Sequence, residues 1–311
     1  MSGCGSDAFY LAPLRGVTGR TFRAVQARHF TPAPVAVAPF IPTCAGDRVK
    51  PAVLADIAPD PETPVEVIPQ LIGKDPGQLR VMLRALKDMG YRKADLNAGC
   101  PWPFVAKKGR GCGLMASAEA FERMLEAGCD ELPDGFSVKV RLGLKDSGLL
   151  AERMPVINRY PLREVTIHPR TAKQMYDGQV DLDVFAEVLP LCRHPVVYNG
   201  DIRTCADWQT LKRRFPQVTR WMVGRGMAMN PALMESFLAG TDLPPDYGRI
   251  AGFCADYLET AAAELAGPTQ VLGRMKELWS YLHFIYPDSE TRWKAIRLCR
   301  TLDEYLRVVR G

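Results

Sequence analysis

Three features that would assign the chain to other classes of protein are missing from its 311 residues. No run of about 18 consecutive apolar residues occurs, so a membrane-spanning helix is not expected. The nine cysteines include no C-x-x-C pair, which argues against a zinc knuckle and a disulfide framework. A charged segment followed by an apolar one, as in a secretory signal, is also missing at the start. We therefore expect a cytoplasmic protein with reduced thiols, no metal site and no membrane contact.

The composition is that of a globular protein with a sizeable core, because 47% of the residues are hydrophobic and 24% are charged. The net charge of +5 is mild. Whole-chain charge bears on association rather than on fold, so this value permits a polyanionic partner without requiring one.

Short apolar runs alternate with amphipathic stretches over the first 240 residues. Runs of this length, closed by polar or glycine-bearing turns, indicate the strands of a parallel sheet, and the stretches between them indicate crossover helices. The eight predicted strands are residues 9–14, 35–40, 65–71, 94–97, 136–142, 164–168, 195–199 and 220–224. The predicted helices are residues 78–90, 118–128, 183–191 and 207–215.

Eight strands in about 235 residues predict an α/β fold, a (β/α)8 TIM barrel. An open doubly wound sheet is the competing architecture. It is disfavoured because no G-x-G-x-x-G follows the first strand and because polar residues stand at the carboxyl ends of nearly all strands.

After a linker at residues 241–247, which contains Pro244-Pro245, the strand pattern stops. Residues 250–266, 269–285 and 289–310 predict three helices. We therefore expect a barrel domain over residues 1–240 and a small all-helical domain over residues 248–311. Between Arg274 and Arg310 eight basic residues face five acidic ones, with aromatics between them. That mixture suits RNA, although on composition alone an ordinary solvated helix face with aromatics in the core is the simpler explanation.

Chemically specific residues stand at the strand ends, where a TIM barrel carries its active site. The third strand ends at Gln70, the fifth carries Lys139 and the sixth ends at His168. A lysine flanked by valines needs an anionic ligand or a core carboxylate. Glycines in residues 199–201 and 224–226, together with Arg225, are typical of a phosphate site at the last two strand ends.

Cys100 follows the fourth strand within Gly99-Cys100-Pro101. A cysteine at such a position is rigidly placed and accessible, as a proton donor or a nucleophile must be. A small buried hydrophobe is the simpler explanation of a single cysteine.

Taken together, these residues resemble the tRNA-dihydrouridine synthase family over nearly the whole chain. The resemblance is carried by Ala12-Pro13-Leu14, Asn97-x-Gly99-Cys100-Pro101, Val138-Lys139-Val140-Arg141, His168-x-Arg170-Thr171 and Asn199-Gly200-Asp201, with Gly224-Arg225-Gly226. The run Arg274-x-Lys276-x-x-Trp279-Ser280-Tyr281 is similar to that of the bacterial branch acting on uridine 16 of the D-loop.

The resemblance implies an enzyme that reduces uridine in tRNA to dihydrouridine, with bound FMN, NADPH as reductant and Cys100 as the proton donor. We expect the enzyme to be monomeric. Lys139 would hold the N1/C2 carbonyl edge of the reduced flavin. The residues implied to bind FMN are Ala12, Pro13, Leu14, Gln70, Lys139, His168, Asn199, Gly200, Asp201, Gly224 and Arg225. Since a proton donor must be neutral, we expect that the pKa of Cys100 is not depressed.

Candidates for tRNA contact are basic or aromatic, with Asn97 orienting the target nucleotide. They are Asn97, Lys107, Lys108, Arg110, Lys173, Tyr176, Arg274, Lys276, Tyr281 and Arg297.

Three other functions fit parts of the pattern. An FMN barrel acting on a free pyrimidine or a dihydroorotate-like molecule would share the cofactor site but has no need of the helical tail. A Schiff-base aldolase would use Lys139 as its nucleophile and would contain no flavin. A non-catalytic RNA-binding protein would bind tRNA without oxidising NADPH.

Overall fold

The computed structural model of the protein describes residues 7–60 and 63–310. Its strands are all parallel and form one sheet in the order β3-β5-β6-β7-β8-β9-β10-β1-β2-β4. They are β1 (Ala8–Leu11), β2 (Val35–Val37), β3 (Ile41–Pro42), β4 (Glu66–Ile68), β5 (Gln70–Ile72), β6 (Ala94–Ala98), β7 (Phe136–Gly143), β8 (Val165–Thr171), β9 (Val196–Tyr198) and β10 (Arg220–Val223).

The sheet closes on itself. β1 pairs with β10 on one side and with β2 on the other, and β2 pairs with β4. β4 continues along the chain into β5, which pairs with β6 and so completes the circle. Two of the eight predicted strands are interrupted. Pro39 lies between β2 and β3, and Pro69 lies between β4 and β5. Proline has no N–H to donate to a ladder, so each of these strands is divided in two. The predicted TIM barrel is confirmed.

Nine helices of the described residues accompany the barrel. Those predicted as helices begin where side chains cap them: Asp75 accepts from the Gln78 N–H at 2.9 Å, and Thr204 with Asp207 forms a capping box. The helices are α1 (Arg20–His29), α2 (Pro76–Asp88), α3 (Pro103–Ala106), α4 (Ala118–Glu131), α5 (Leu149–Ile157), α6 (Leu182–Val188), α7 (Cys205–Arg214), α8 (Arg225–Met229) and α9 (Leu233–Ala239). Five of these helices were not predicted from the sequence, namely α1, α3, α5, α8 and α9. In α5, Pro155 interrupts the helical pattern.

The carboxyl-terminal part is helical, as predicted, with α10 (Tyr247–Glu264), α11 (Pro268–Leu282), α12 (Ser289–Leu298) and α13 (Leu302–Arg310). The prediction of one helix over residues 289–310 was wrong. Thr301 Oγ1 accepts from the Glu304 N–H at 3.2 Å, and the Glu304 carboxylate accepts from the Arg300 N–H at 2.6 Å. This reciprocal capping starts a new helix.

The carboxyl-terminal helices pack directly on the barrel. Phe253 of α10 is buried against Phe22 of α1, with ring centroids 5.8 Å apart, and both belong to the apolar core that fills the barrel's outer layer. The division into domains at residues 240 and 248 stays a prediction. Within residues 7–60 and 63–310, no helix is both long and apolar enough to cross a lipid bilayer.

Candidate active site

A cavity of about 750 Å³ opens at the carboxyl ends of the strands, where the sequence predicted the site. Side chains from the strand ends line one side and side chains of α11 line another. Fifteen of the predicted site residues line it: Ala12, Pro13, Leu14, Asn97, Cys100, Lys139, His168, Tyr176, Asn199, Gly200, Asp201, Gly224, Arg225, Arg274 and Tyr281.

Seven predicted site residues lie outside the lining, among them Gln70, which is fully buried below the cavity. Lys276 donates from Nζ to the backbone carbonyls of Arg297 and Cys299, at 2.9 and 2.5 Å, and so stabilises the end of α12. Its contact with tRNA stays a prediction. The others outside the lining are Lys107, Lys108, Arg110, Lys173 and Arg297.

Lys139 projects from β7 into the cavity, and its Nζ donates to Asn199 Oδ1 at 2.6 Å. Asn199 is itself fixed, since its Nδ2 donates to the Met222 carbonyl at 2.8 Å. Burial, followed by the nearby Arg141, lowers the pKa of Lys139 to about 7. No carboxylate pairs with this ammonium within the described residues, so an anionic ligand would stabilise its charged form.

His168 ends in the cavity with one ring nitrogen free. Its Nδ1 lies 2.6 Å from the Asn199 carbonyl, while Nε2 is buried with no partner in the described structure. Burial, with Arg141 and Lys139 nearby, holds the pKa of His168 well below its usual value. The ring is therefore neutral, Nδ1 carries the proton that the carbonyl accepts, and Nε2 offers a lone pair to a ligand.

The Cys100 thiol is held by a tight loop after β6. Asn97 Oδ1 accepts from the Cys100 N–H at 2.8 Å, and the Cys112 N–H donates to the Cys100 carbonyl at 3.1 Å. Gly111 has φ +57°, and a Cβ there would lie 2.8 Å from that of Cys100, so only glycine fits. Burial raises the pKa of Cys100, which agrees with the expectation of a neutral thiol.

A buried polar network supports this loop from below. Ser137 Oγ donates to Asp95 Oδ1 at 2.8 Å, Gln70 Nε2 donates to Asp95 Oδ2 at 2.7 Å, and Asn97 Nδ2 donates to Gln70 Oε1 at 2.8 Å. Gln70 and Asn97 thus fix the backbone at Cys100 through hydrogen bonds inside the protein. Direct contact of these two residues with cofactor or nucleotide stays a prediction.

Sequence reasoning gave no role to Arg141, which is buried and lines the cavity. Its guanidinium donates to the carbonyls of Gly99, Thr171 and Met175, at 3.0, 2.9 and 2.7 Å, and so joins the loop after β6 to the end of β8 and the loop that follows it. The strand pattern was sufficient to predict this position. Alternate residues of a strand face the same side, so Arg141 had to follow Lys139 into the cavity.

Asp201 was predicted to lie beside the phosphate of the cofactor, but its carboxylate is paired with two arginines of the protein. Its carboxylate accepts from Arg170 Nη1 at 3.0 Å and from Arg225 Nη2 at 2.5 Å. Burial by itself would raise the pKa of Asp201, but its ion pairs with Arg170 and Arg225 lower it overall. Asp201 therefore holds two guanidinium groups in place, and its direct contact with a cofactor stays a prediction.

The helix α11 supplies Arg274, Glu277 and Tyr281 to the cavity wall. Arg274 Nε lies 3.8 Å from Glu277 Oε2, and Glu277 reaches the loop after β1 at Gly16. Gly16 has φ +82°, and a Cβ there would lie 2.8 Å from the Glu277 carboxylate. Glu277 was missed by the sequence analysis, because nothing in a helix pattern shows which strand-end loop the helix will contact.

Comparison with known proteins agrees with this geometry. The sequence profile of the family described as dihydrouridine synthase (Dus) matches residues 10–295. The chain belongs to the dihydrouridine synthase family. As a dihydrouridine synthase, it places the family motifs around Cys100, Lys139 and His168 at one cavity.

Curated relatives of this dihydrouridine synthase match over most of their length. The tRNA-dihydrouridine(16) synthase of Cupriavidus necator is 27% identical over 276 residues, covering 87% of this chain and 84% of that protein. The enzyme of the same name from Pseudomonas putida is 27% identical, covering 92% and 91%. Among solved structures, the old yellow enzyme homologue from Zymomonas mobilis has a TM-score of 0.55 at 11% identity, covering 76% of this chain and 90% of that one. This likeness supports the fold alone.

Proposed function

We propose that this dihydrouridine synthase reduces the C5–C6 double bond of uridine 16 in the D-loop of tRNA, with FMN as bound cofactor and NADPH as reductant. The relatives named tRNA-dihydrouridine(16) synthase support the choice of substrate. The observation that carries the chemistry is that a neutral thiol, Cys100, and a half-buried amine, Lys139, line the same cavity.

The cavity suits FMN on two counts. It is lined by six cationic and two acidic side chains, which favours an anionic ligand. The unpartnered His168 Nε2 offers an acceptor for a ribityl hydroxyl. Arg225 would bind the phosphate, and Ala12 to Leu14 would contact the ring.

FMN, when bound and reduced by NADPH, supplies the hydride that reaches C6 of the uracil ring. Lys139 would stabilise negative charge on the reduced ring, and an anionic ligand raises the pKa of an ammonium that burial has lowered to about 7. Because Asn199 fixes the position of the Lys139 Nζ, this charge is preorganised.

Cys100 would donate the thiol proton to C5 of the same ring. One hydride and one proton are then added across the double bond, NADPH becomes NADP⁺, and the thiolate takes a proton from water. A uracil stacked in RNA cannot be reached from both sides, so the nucleotide must leave the stack and enter the cavity. The raised pKa of Cys100 keeps the thiol protonated until that moment.

The wall formed by α11 favours tRNA over a free pyrimidine, because Arg274 and Tyr281 extend the cavity beyond what one small ring needs. Arg274 would bind phosphate, and Tyr176 and Tyr281 would contact sugar or base. Tyr176 is exposed and has the guanidinium carbons of Arg141 and Arg225 each 5.3 Å from its ring centroid. Lys107, Lys108, Arg110, Lys173 and Arg297 would contact phosphates outside the cavity.

Mapping dihydrouridine in tRNA from cells that lack the protein tests this proposal. We expect loss of dihydrouridine at position 16 alone, restored by the wild-type chain. The purified protein should carry a flavin absorption spectrum and oxidise NADPH when tRNA is added. An unchanged dihydrouridine map, or a colourless protein that reduces no tRNA in the presence of added FMN, contradicts the proposal.

A further inference from the structure

Two large aromatic side chains are exposed at the rim of the cavity, directly after Cys100. Trp102 is 60% exposed and lines the cavity, and Phe104, in the short helix α3, is 73% exposed and lies outside the lining. Single exposed apolar residues are common on protein surfaces. Two within three residues beside an active site form a patch of the kind that marks a binding surface.

The backbone that carries these rings is held in place. Pro101 and Pro103 restrict φ on either side of Trp102, and the N–H groups of Val105 and Ala106 both donate to the Trp102 carbonyl at 2.9 Å. Beneath them a Cβ on Gly113 would lie 2.1 Å from the Ala106 carbonyl oxygen, so α3 is packed tightly on the loop below. The backbone that carries the two rings is therefore fixed, so the rings start from defined positions at the rim.

The charge around the rings is positive. The Lys108 ammonium lies 3.9 Å from the centroid of the Phe104 ring, and Lys107 beside it is exposed. The sequence has no acidic residue from Cys100 to Ala118. Exposed rings interleaved with cations are the combination that binds single-stranded nucleic acid, since bases stack on rings and phosphates pair with cations.

We propose that Trp102 and Phe104 form a stacking platform for the unpaired bases next to the uridine that enters the cavity, with Lys107 and Lys108 on the intervening phosphates. The inference rests on the proposed function and adds to it a contact with the nucleotides flanking the target. Trp102 reaches into the cavity rim and so takes the base adjoining the uridine, whereas Phe104, farther out, takes the following one.

Binding of fluorescently labelled tRNA to the flavin-loaded protein, without NADPH, tests the platform. Phe104→Ala and Phe104→Leu should each weaken binding roughly 5- to 150-fold, the range that about 1–3 kcal/mol of base stacking corresponds to. Phe104→Tyr should retain affinity because it keeps the ring. Leu238→Ala, at a residue of α9 that is 56% exposed and outside the cavity, is the matched control and should bind as the wild type does.

Equal affinity of Phe104→Ala and the wild type would overturn the inference, as would a Phe104→Leu variant that binds as tightly as Phe104→Tyr. A second copy of the chain could also bind such a patch, and sedimentation of the same proteins tests for this self-association. Self-association of the wild type that Phe104→Ala abolishes would also overturn it. Because binding is measured without turnover, a wild type that binds tRNA through Phe104 but forms no dihydrouridine would contradict the proposed reaction and leave the platform standing.

Discussion

The two sides of the cavity are built differently. On the strand-end side, Arg141 and His168 are buried and Lys139 is half-buried, and each side chain is held by at least one hydrogen bond to a neighbouring strand or loop. On the helix side, the Arg274 and Glu277 side chains of α11 are 29% and 55% exposed. Groups that stabilise charge during a reaction act best when fixed and shielded from water, whereas groups that bind a large polyanion must reach it. We therefore propose that the strand-end side serves the reaction and the helix side serves recognition.

The largest expected effect that separates the two sides comes from Lys139→Met. It removes the buried cation while keeping a side chain of similar length, so the rate of tRNA reduction should fall roughly 100- to 1,000-fold, as when one preorganised donor is lost. Single-turnover reduction followed by flavin absorbance measures this. Lys145→Met removes an exposed lysine and should leave the rate unchanged. If both variants keep the wild-type rate, the strand-end side does not serve the reaction as described.

A pair of glycine substitutions compares the packing of the two sides. Gly113→Ala places a Cβ 2.1 Å from the Ala106 carbonyl oxygen, so it should lower the free energy of unfolding by more than about 2 kcal/mol. Gly273→Ala, in the middle of α11 with open space around it, should raise it by about 0.5–1 kcal/mol. Urea denaturation measures both. If both substitutions change the free energy of unfolding in the same direction, the two sides do not differ in packing as described.

The smallest expected effect is a pH dependence from Lys139. Its pKa of about 7 in the folded protein lies below the usual value, so between pH 7 and 10.5 the unfolded chain binds more protons, and stability rises with pH. Relative to Lys139→Met, the cofactor-free wild type should therefore gain about 1 kcal/mol from pH 7 to pH 8. Denaturation of both proteins at the two pH values measures this difference. A constant difference would mean that Lys139 keeps an ordinary pKa.

Much of the strand-end side could be predicted from the sequence, because a parallel barrel brings the carboxyl ends of its strands together. Lys139 and His168 were placed correctly at the cavity on that ground. The division of two strands at Pro39 and Pro69 was not predicted. Proline interrupts the hydrogen-bond ladder but does not make an apolar run more polar, so the hydrophobic pattern does not show the break.

The helix side could be predicted only in outline. The spacing of apolar residues indicates a helix and its buried face, but the partner of that face depends on contacts distant in the sequence. Glu277 beside Gly16 is one such contact. Lys276 is another, since its place in a basic motif indicated RNA, whereas its ammonium binds two carbonyls of the protein.

The central claim, that Cys100 donates the proton to uracil, is tested most directly by Cys100→Ala. We expect NADPH to reduce the flavin of this variant at the wild-type rate, while dihydrouridine formation in tRNA falls by roughly 100- to 10,000-fold, the usual contribution of a general acid. Stopped-flow absorbance gives the first rate and nucleoside mass spectrometry gives the second. Wild-type dihydrouridine formation by Cys100→Ala would contradict the account.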